Sequence, residues 1–177
     1  MILNSNFSFL NSKLMTFLLI LLFTVIIGTP ASGADSELTR QTIKGLEGVN
    51  VIVEDIQPNI QKYAQKAGIT KEQIQKDVET KLRLNRIKIL TKNEWLKTPG
   101  KPSLYVNINT HETEKYLYAY DVRLELKQIV SLEANPSIKA FASTWSINLT
   151  GMANIGTLAV IKNALDGLLG RFIDASK

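Results

Sequence analysis

The alternation of apolar and polar side chains between Leu104 and Leu149 constrains this chain more than any other feature. Leu104, Val106 and Ile108 alternate with Tyr105, Asn107 and Asn109. Tyr116, Tyr118, Tyr120, Val122, Leu124 and Leu126 then alternate with Leu117, Ala119, Asp121, Arg123, Glu125 and Lys127. After Ala134-Asn135-Pro136-Ser137, a turn signal, Phe141, Trp145, Ile147 and Leu149 repeat the spacing. A side-chain period of two places the first set of each series on a buried face and the second toward water. The stretch therefore predicts three successive antiparallel strands, with His111-Glu112-Thr113-Glu114 at the tip of the first hairpin.

The first 34 residues read differently. Leu14 to Ile27 is an apolar run relieved only by Thr16 and Thr24, preceded by Lys13 and followed by small residues as far as Ala34. That pattern is a secretory signal peptide with a mature start near Asp35. The run is shorter than the roughly 20 residues of a spanning helix; an uncleaved membrane anchor is the alternative. Residues 35–47 are polar and punctuated by glycine, so they read as a flexible leader. Residues 48–177 then have the size of one domain.

Composition narrows the chemistry. The chain has no cysteine, which excludes a disulfide frame, a thiol metal site and a lipid-bearing amino terminus. Lys13 is the one charged side chain before Asp35, so the remainder carries 20 basic against 16 acidic residues, a net charge of +4. Its lysines are scattered singly, a pattern of solubility more than of a polyanion site.

Val49, Val51 and Val53 form a first strand with Ile52 on its second face, which suits an interior strand covered by helices. Pro58 opens a helix that stops at Gly68. Thr70-Lys71-Glu72-Gln73 is a capping box, with threonine and glutamine side chains each satisfying a free backbone donor. Ile74, Val78 and Leu82 give that second helix a buried stripe, and Asn85 suits a left-handed stop. Ile87 to Leu90 reads as another strand, parallel to the first because a helix intervenes. A helical turn at Asn93–Lys97 buries Trp95 before the Thr98–Pro102 turn. Thr150 to Gly156 reads as a loop, and Leu158, Ile161, Leu165, Leu168 and Phe172 mark a closing amphipathic helix. The expected fold is α+β: a single mixed sheet of about five strands, with the capped helix and the closing helix packed on one face.

Three segments carry a resemblance: Val49–Glu54, Val78–Leu90 and Glu94–Asn107. Together they resemble an uncharacterised family of small exported bacterial proteins with a valine strand, a helix, Trp-Leu, Thr-Pro-Gly and Leu-Tyr-Val in this order. More remotely, a strand-helix-strand start followed by a meander is similar to the amino-terminal domain of TolB and to envelope proteins of the CsgG type. The resemblance implies an envelope location and supplies no catalytic motif to carry over.

The chemistry-bearing residues are few. His111 is the single histidine, whereas a zinc protease motif needs two on one helical face. No Gly-x-Ser-x-Gly elbow is present to expose a serine nucleophile. Asp121 and Glu125 lie on the outward side of the middle strand among Arg123 and Lys127, where cross-strand ion pairing accounts for them. The tyrosine row reads as core more readily than as a stacking platform, and the lysines do not cluster around it. No phosphate-cradling glycine loop opens a helix, so no cofactor is expected. Asn148-Leu149-Thr150 is a glycosylation pattern at a strand end, read as chance.

These absences and the leader together suggest an exported, non-enzymatic protein that binds another envelope component, with no nucleic-acid partner. The alternatives are a secreted hydrolase using Asp121, Glu125 or His111, and a cationic membrane-surface protein. Candidate contact residues are Tyr105, Asn107 and Asn109, together with Trp95. The Leu104–Asn109 strand has no charge among its outward residues, so as a sheet edge it could accept a partner strand. If it is paired on both sides, Asn107 and Asn109 merely face water.

Overall fold

The structure, a computed structural model, describes residues 35–177; the segment read as a signal peptide lies outside them. In chain order the elements are α1 (Glu37–Arg40), β1 (Asn50–Val53), α2 (Pro58–Lys66), α3 (Lys71–Leu84), α4 (Lys92–Lys97), β2 (Ser103–Glu114), β3 (Leu117–Leu132), β4 (Asn135–Asn154) and α5 (Ala159–Ala175). The described strands form one mixed sheet in the order β1-β2-β3-β4. β1 runs parallel to β2, while β2–β3 and β3–β4 are antiparallel hairpin pairs. The fold is α+β, with α3 against β1, α2 against β2 and α5 against β3 and β4.

The apolar period explains the core. Ile74, Val78 and Leu82 of α3 and Ile161, Leu165, Leu168 and Phe172 of α5 meet Leu104, Val106, Val122, Leu124 and Leu126 of the sheet, all fully buried. Each such side chain removed from water stabilises the fold by roughly 1.5–3 kcal/mol, and conformational entropy offsets most of the sum.

The expected fifth strand is reduced to one parallel bridge. Val49 accepts from Leu90 N–H and donates to Lys88 C=O, each at 2.9 Å. The cause is local. Arg86, not Asn85, takes the left-handed position at φ 64°, and Ile87 N–H closes back on Leu82 C=O at 3.0 Å. This is a Schellman-type stop. Thr91 starts α4 with a reciprocal capping box to Glu94, so Ile87–Leu90 has no room to extend. β1 is consequently an edge strand rather than the expected interior one.

The flexible leader read into residues 35–47 is ordered against the domain. Ile43 is buried in the core. Asp35 is ion-paired to Arg40 and Arg171, and its side chain is only 1% exposed. Scattered polar residues hid this: besides Ile43 and Asp35, Thr42 bonds Thr144 through its hydroxyl and accepts from the Gln128 amide through its C=O, each at 3.2 Å, and the half-buried Leu46 packs on the core.

Other differences trace to strand length. β2 extends through His111 to Glu114, and the tight turn falls at Lys115–Tyr116, where Tyr116 adopts φ 68° and leaves the buried row. β4 runs through the expected Thr150–Gly156 loop as far as Asn154. The second hairpin turns at Glu133–Ala134 rather than over Ala134–Ser137. A bulge at Thr144 shifts the phase of β4, so Phe141 is exposed while Trp145 and Ile147 are buried. At Thr70 the cap is single: the hydroxyl accepts from Gln73 N–H at 3.2 Å, and the Gln73 side chain donates to Asp77 instead.

Candidate functional site: the open face of the sheet

With α2, α3 and α5 on one side, the other side of β2, β3 and β4 is left open. The register sets its side chains in rows across the three strands. Tyr105, Glu125 and Ser146 make one row, and Asn107, Arg123 and Asn148 the next. Asn109, Asp121 and Thr150 follow, and then His111, Ala119 and Met152. Period-two alternation on long paired strands is enough to gather these polar groups, because each strand contributes every second residue to the same face.

The rows are tied together by charge and by hydrogen bonds of side-chain amides. Asn148 Nδ2 donates to Asp121 Oδ1 at 2.8 Å, and Arg123 lies 3.8 Å from the other Asp121 oxygen. Glu125 pairs with Lys127 at 3.1 Å, and the Lys127 ammonium sits 3.7 Å from the centre of the Tyr105 ring. Such a cation over an aromatic face contributes roughly 0.5–1 kcal/mol at an exposed site. Asn109 Nδ2 donates to Asn107 Oδ1, and Asn107 Nδ2 to Glu54 Oε2. A shallow groove of about 640 Å³ lies over the last two rows, lined by Asn109, Asp121, His111, Thr150, Ala119 and Met152 with Gln57 at its rim.

The candidate residues are placed as follows. Tyr105, Asn107 and Asn109 share the open face, whereas Trp95 is separate. The indole of Trp95 donates to Lys101 C=O at 2.8 Å and to the buried Ser103 hydroxyl at 3.0 Å, fixing the Pro/Gly turn at the start of β2. Strand addition at β2 is closed off. Ser103 to Val106 pair with β1 on one side and β3 on the other. Beyond them, Gln57 Oε1 accepts from Thr110 N–H, and Asn59 Nδ2 donates to Thr110 C=O at 3.0 Å. Two side-chain amides thus occupy backbone groups that a neighbouring strand would use.

The structure separates the three residues of the hydrolase reading. His111 and Asp121 line one groove; Glu125 does not. Four residues along a strand span roughly 13 Å, more than the roughly 5–9.5 Å over which a carboxylate pair serves glycoside hydrolysis. Arg123 also stands between Asp121 and Glu125. Among the described residues no group of three or more acidic or histidine side chains could hold a metal ion. No described helix is long and apolar enough to cross a membrane.

Sequence reasoning placed Asp121 and Arg123 outward but missed Asn148 and Thr150 as their neighbours. The alternation of Trp145, Ile147 and Leu149 sets Asn148 and Thr150 outward, but only the β3–β4 register puts them beside Arg123 and Asp121. No family model matches the chain, and no curated protein or solved structure matches it.

Proposed function

We propose that this chain is an exported, non-enzymatic envelope protein that binds another envelope component through the open face of its sheet. One observation carries the reading: three strands present an uncovered lattice of amide, carboxylate, guanidinium and hydroxyl groups, with its amides held by hydrogen bonds and Arg123 ion-paired to Asp121. A lattice ordered before contact loses little side-chain entropy on binding, which favours recognition of a polar partner. The leader of residues 1–34 and the resemblance to small exported proteins support the location.

Co-sedimentation with isolated cell envelopes tests this. The wild-type protein pellets with the envelope fraction. Arg123→Glu and Asn109→Lys, both on the open face, release it to the supernatant with unchanged unfolding midpoints, while Lys62→Glu on α2 behaves as wild type. Equal sedimentation of all four proteins would refute the open face as the contact surface.

The placement of His111 and Asp121 in one groove supports a second reading, a hydrolase with these two as acid and base. It requires turnover of an envelope polymer that Asp121→Asn abolishes. Binding without turnover argues for the first reading.

A further inference from the structure

Past the last residues that β2 covers, β3 and β4 continue together as a projecting two-stranded arm. Ile129 N–H still bonds Gly100 C=O at 2.7 Å. Beyond it, every residue from Ser131 to Phe141 is exposed. An isolated two-stranded ribbon is marginal in water, and this one shows water three large apolar side chains: Leu132 at 46%, Ile138 at 48% and Phe141 at 49% exposure. Its outer edge is poorly defended as well. Sheet edges are usually blunted by lysines or prolines, yet from Ser137 to Ser143 β4 carries a single charge, Lys139, and no proline.

We propose that this arm is the interface of a two-fold homodimer, formed by antiparallel pairing of the two β4 strands about Ala140. An antiparallel edge is complementary to a copy of itself, and two-fold dimers are the commonest closed assembly. Centring on Ala140 sets Lys139 of each protomer opposite Phe141 of its partner. No like charges then face each other, and the lysine stem covers the exposed ring. Ser137 meets Ser143, and Pro136, which cannot donate, falls outside the paired window. A second β4 supplies hydrogen-bond partners to the free edge and covers Phe141 and Ile138, which lie on opposite faces of the ribbon.

Lipid is a poorer occupant. The tip is Glu133-Ala134-Asn135-Pro136-Ser137, polar and acidic, with the apolar residues behind it. Insertion would bury Glu133 first, and the unpaired backbone of β4 would stay unsatisfied in hydrocarbon.

The absence of native cysteine makes the test clean. In the full chain carrying Ala140→Cys, the two thiols face one another across the two-fold axis. Directly opposed residues of antiparallel strands have Cα atoms roughly 4.5–5.5 Å apart, within the roughly 4.4–6.8 Å that a disulfide spans. Mild oxidation should convert most of the Ala140→Cys protein to a covalent dimer and leave Ala134→Cys, at the tip, monomeric. Wild-type protein should sediment as a dimer, and Phe141→Glu should weaken that dimer at least about tenfold, as loss of an aromatic anchor does, with an unchanged circular dichroism spectrum. A wild-type monomer, equal crosslinking at Ala140→Cys and Ala134→Cys, or flotation with phosphatidylcholine–phosphatidylglycerol vesicles that Phe141→Glu abolishes would each overturn the proposal. Should Phe141→Glu misfold, the two cysteine variants and the wild-type sedimentation still decide.

Discussion

The indole N–H of Trp145 donates to Oδ1 of Asp35 at 2.9 Å, tying the first described residue to strand β4. The same carboxylate is gripped by the Arg40 guanidinium fork at 2.6 and 2.9 Å and by Arg171 at 2.7 Å. Trp145 in turn packs on Phe172, ring centres 5.5 Å apart. One acid therefore joins α1, β4 and α5.

This arrangement has a pH signature. The Arg40 fork, helped by Trp145 and Arg171, holds the Asp35 carboxyl at about 2 despite its burial. An unfolded aspartate titrates near 4. The folded value is depressed, so the stabilisation is fully present above about pH 4 and is lost as the pH falls toward 2. The difference corresponds to about 2 kcal/mol. Asp35→Asn should unfold at lower urea than wild type at pH 7, and the two should converge below about pH 2. Parallel midpoints across that range would show that the cluster contributes nothing to folding.

The capped helix sets the scale for the core. Leu82 is fully buried between α3 and the sheet, and Leu82→Ala should cost about 2–5 kcal/mol by transfer and cavity terms together. Thr70→Ala, which removes one cap bond to Gln73 N–H, should cost about 1 kcal/mol. Denaturant midpoints compare them directly, and a larger effect at Thr70 than at Leu82 would contradict the packing described.

The contrast between these elements shows what the sequence could convey. The α3 stripe, the α5 stripe and the alternation of β2 and β3 are local periodic signals, and they led to the observed mixed sheet with helices on one face. Information absent from any single segment was lost. The bulge at Thr144 is invisible until β3 is laid beside β4, because the residues around it still alternate acceptably on either side. Asp35 looks like a linker residue until Arg171, 136 positions away in sequence, closes on it. At the candidate site, the outward positions of Tyr105, Asn107, Asn109 and Asp121 were legible from period two. Their partners Asn148 and Glu54 were not, since those depend on cross-strand register and on where β1 ends.

Gly151 offers a test of tight approach in β4. A Cβ built there would lie 2.5 Å from the Tyr120 hydroxyl oxygen and 2.6 Å from the carbon bearing it. The rigid ring cannot yield by rotating a flexible tip, so Gly151→Ala should destabilise by about 1–3 kcal/mol, as overpacking does. In a Tyr120→Leu background the same change should cost little, giving a coupling energy of about 1 kcal/mol or more. Additive effects in thermal melts of the four proteins would mean that ring and glycine do not touch.

The Gln57 and Asn59 amides make the final prediction, because they close the edge of β2. Thr110 N–H donates a hydrogen bond to Gln57 Oε1, the Thr110 hydroxyl lies 3.0 Å from the same oxygen, and the Asn59 amide donates to the Thr110 carbonyl. Replacing both amides by alanine leaves the N–H and C=O of a nearly buried residue without these partners. Each unpaired group costs about 1–3 kcal/mol unless water reaches it. Thr110 lies beside the groove, so water should enter and hold the global loss toward the lower figure. Hydrogen exchange at Thr110 should then accelerate well beyond the change in global stability. An exchange rate that tracks global stability alone would mean that the two amides are not what guards this edge. If the double variant also begins to aggregate while Lys62→Glu does not, the unprotected strand is pairing with other chains, as an unguarded edge is expected to do.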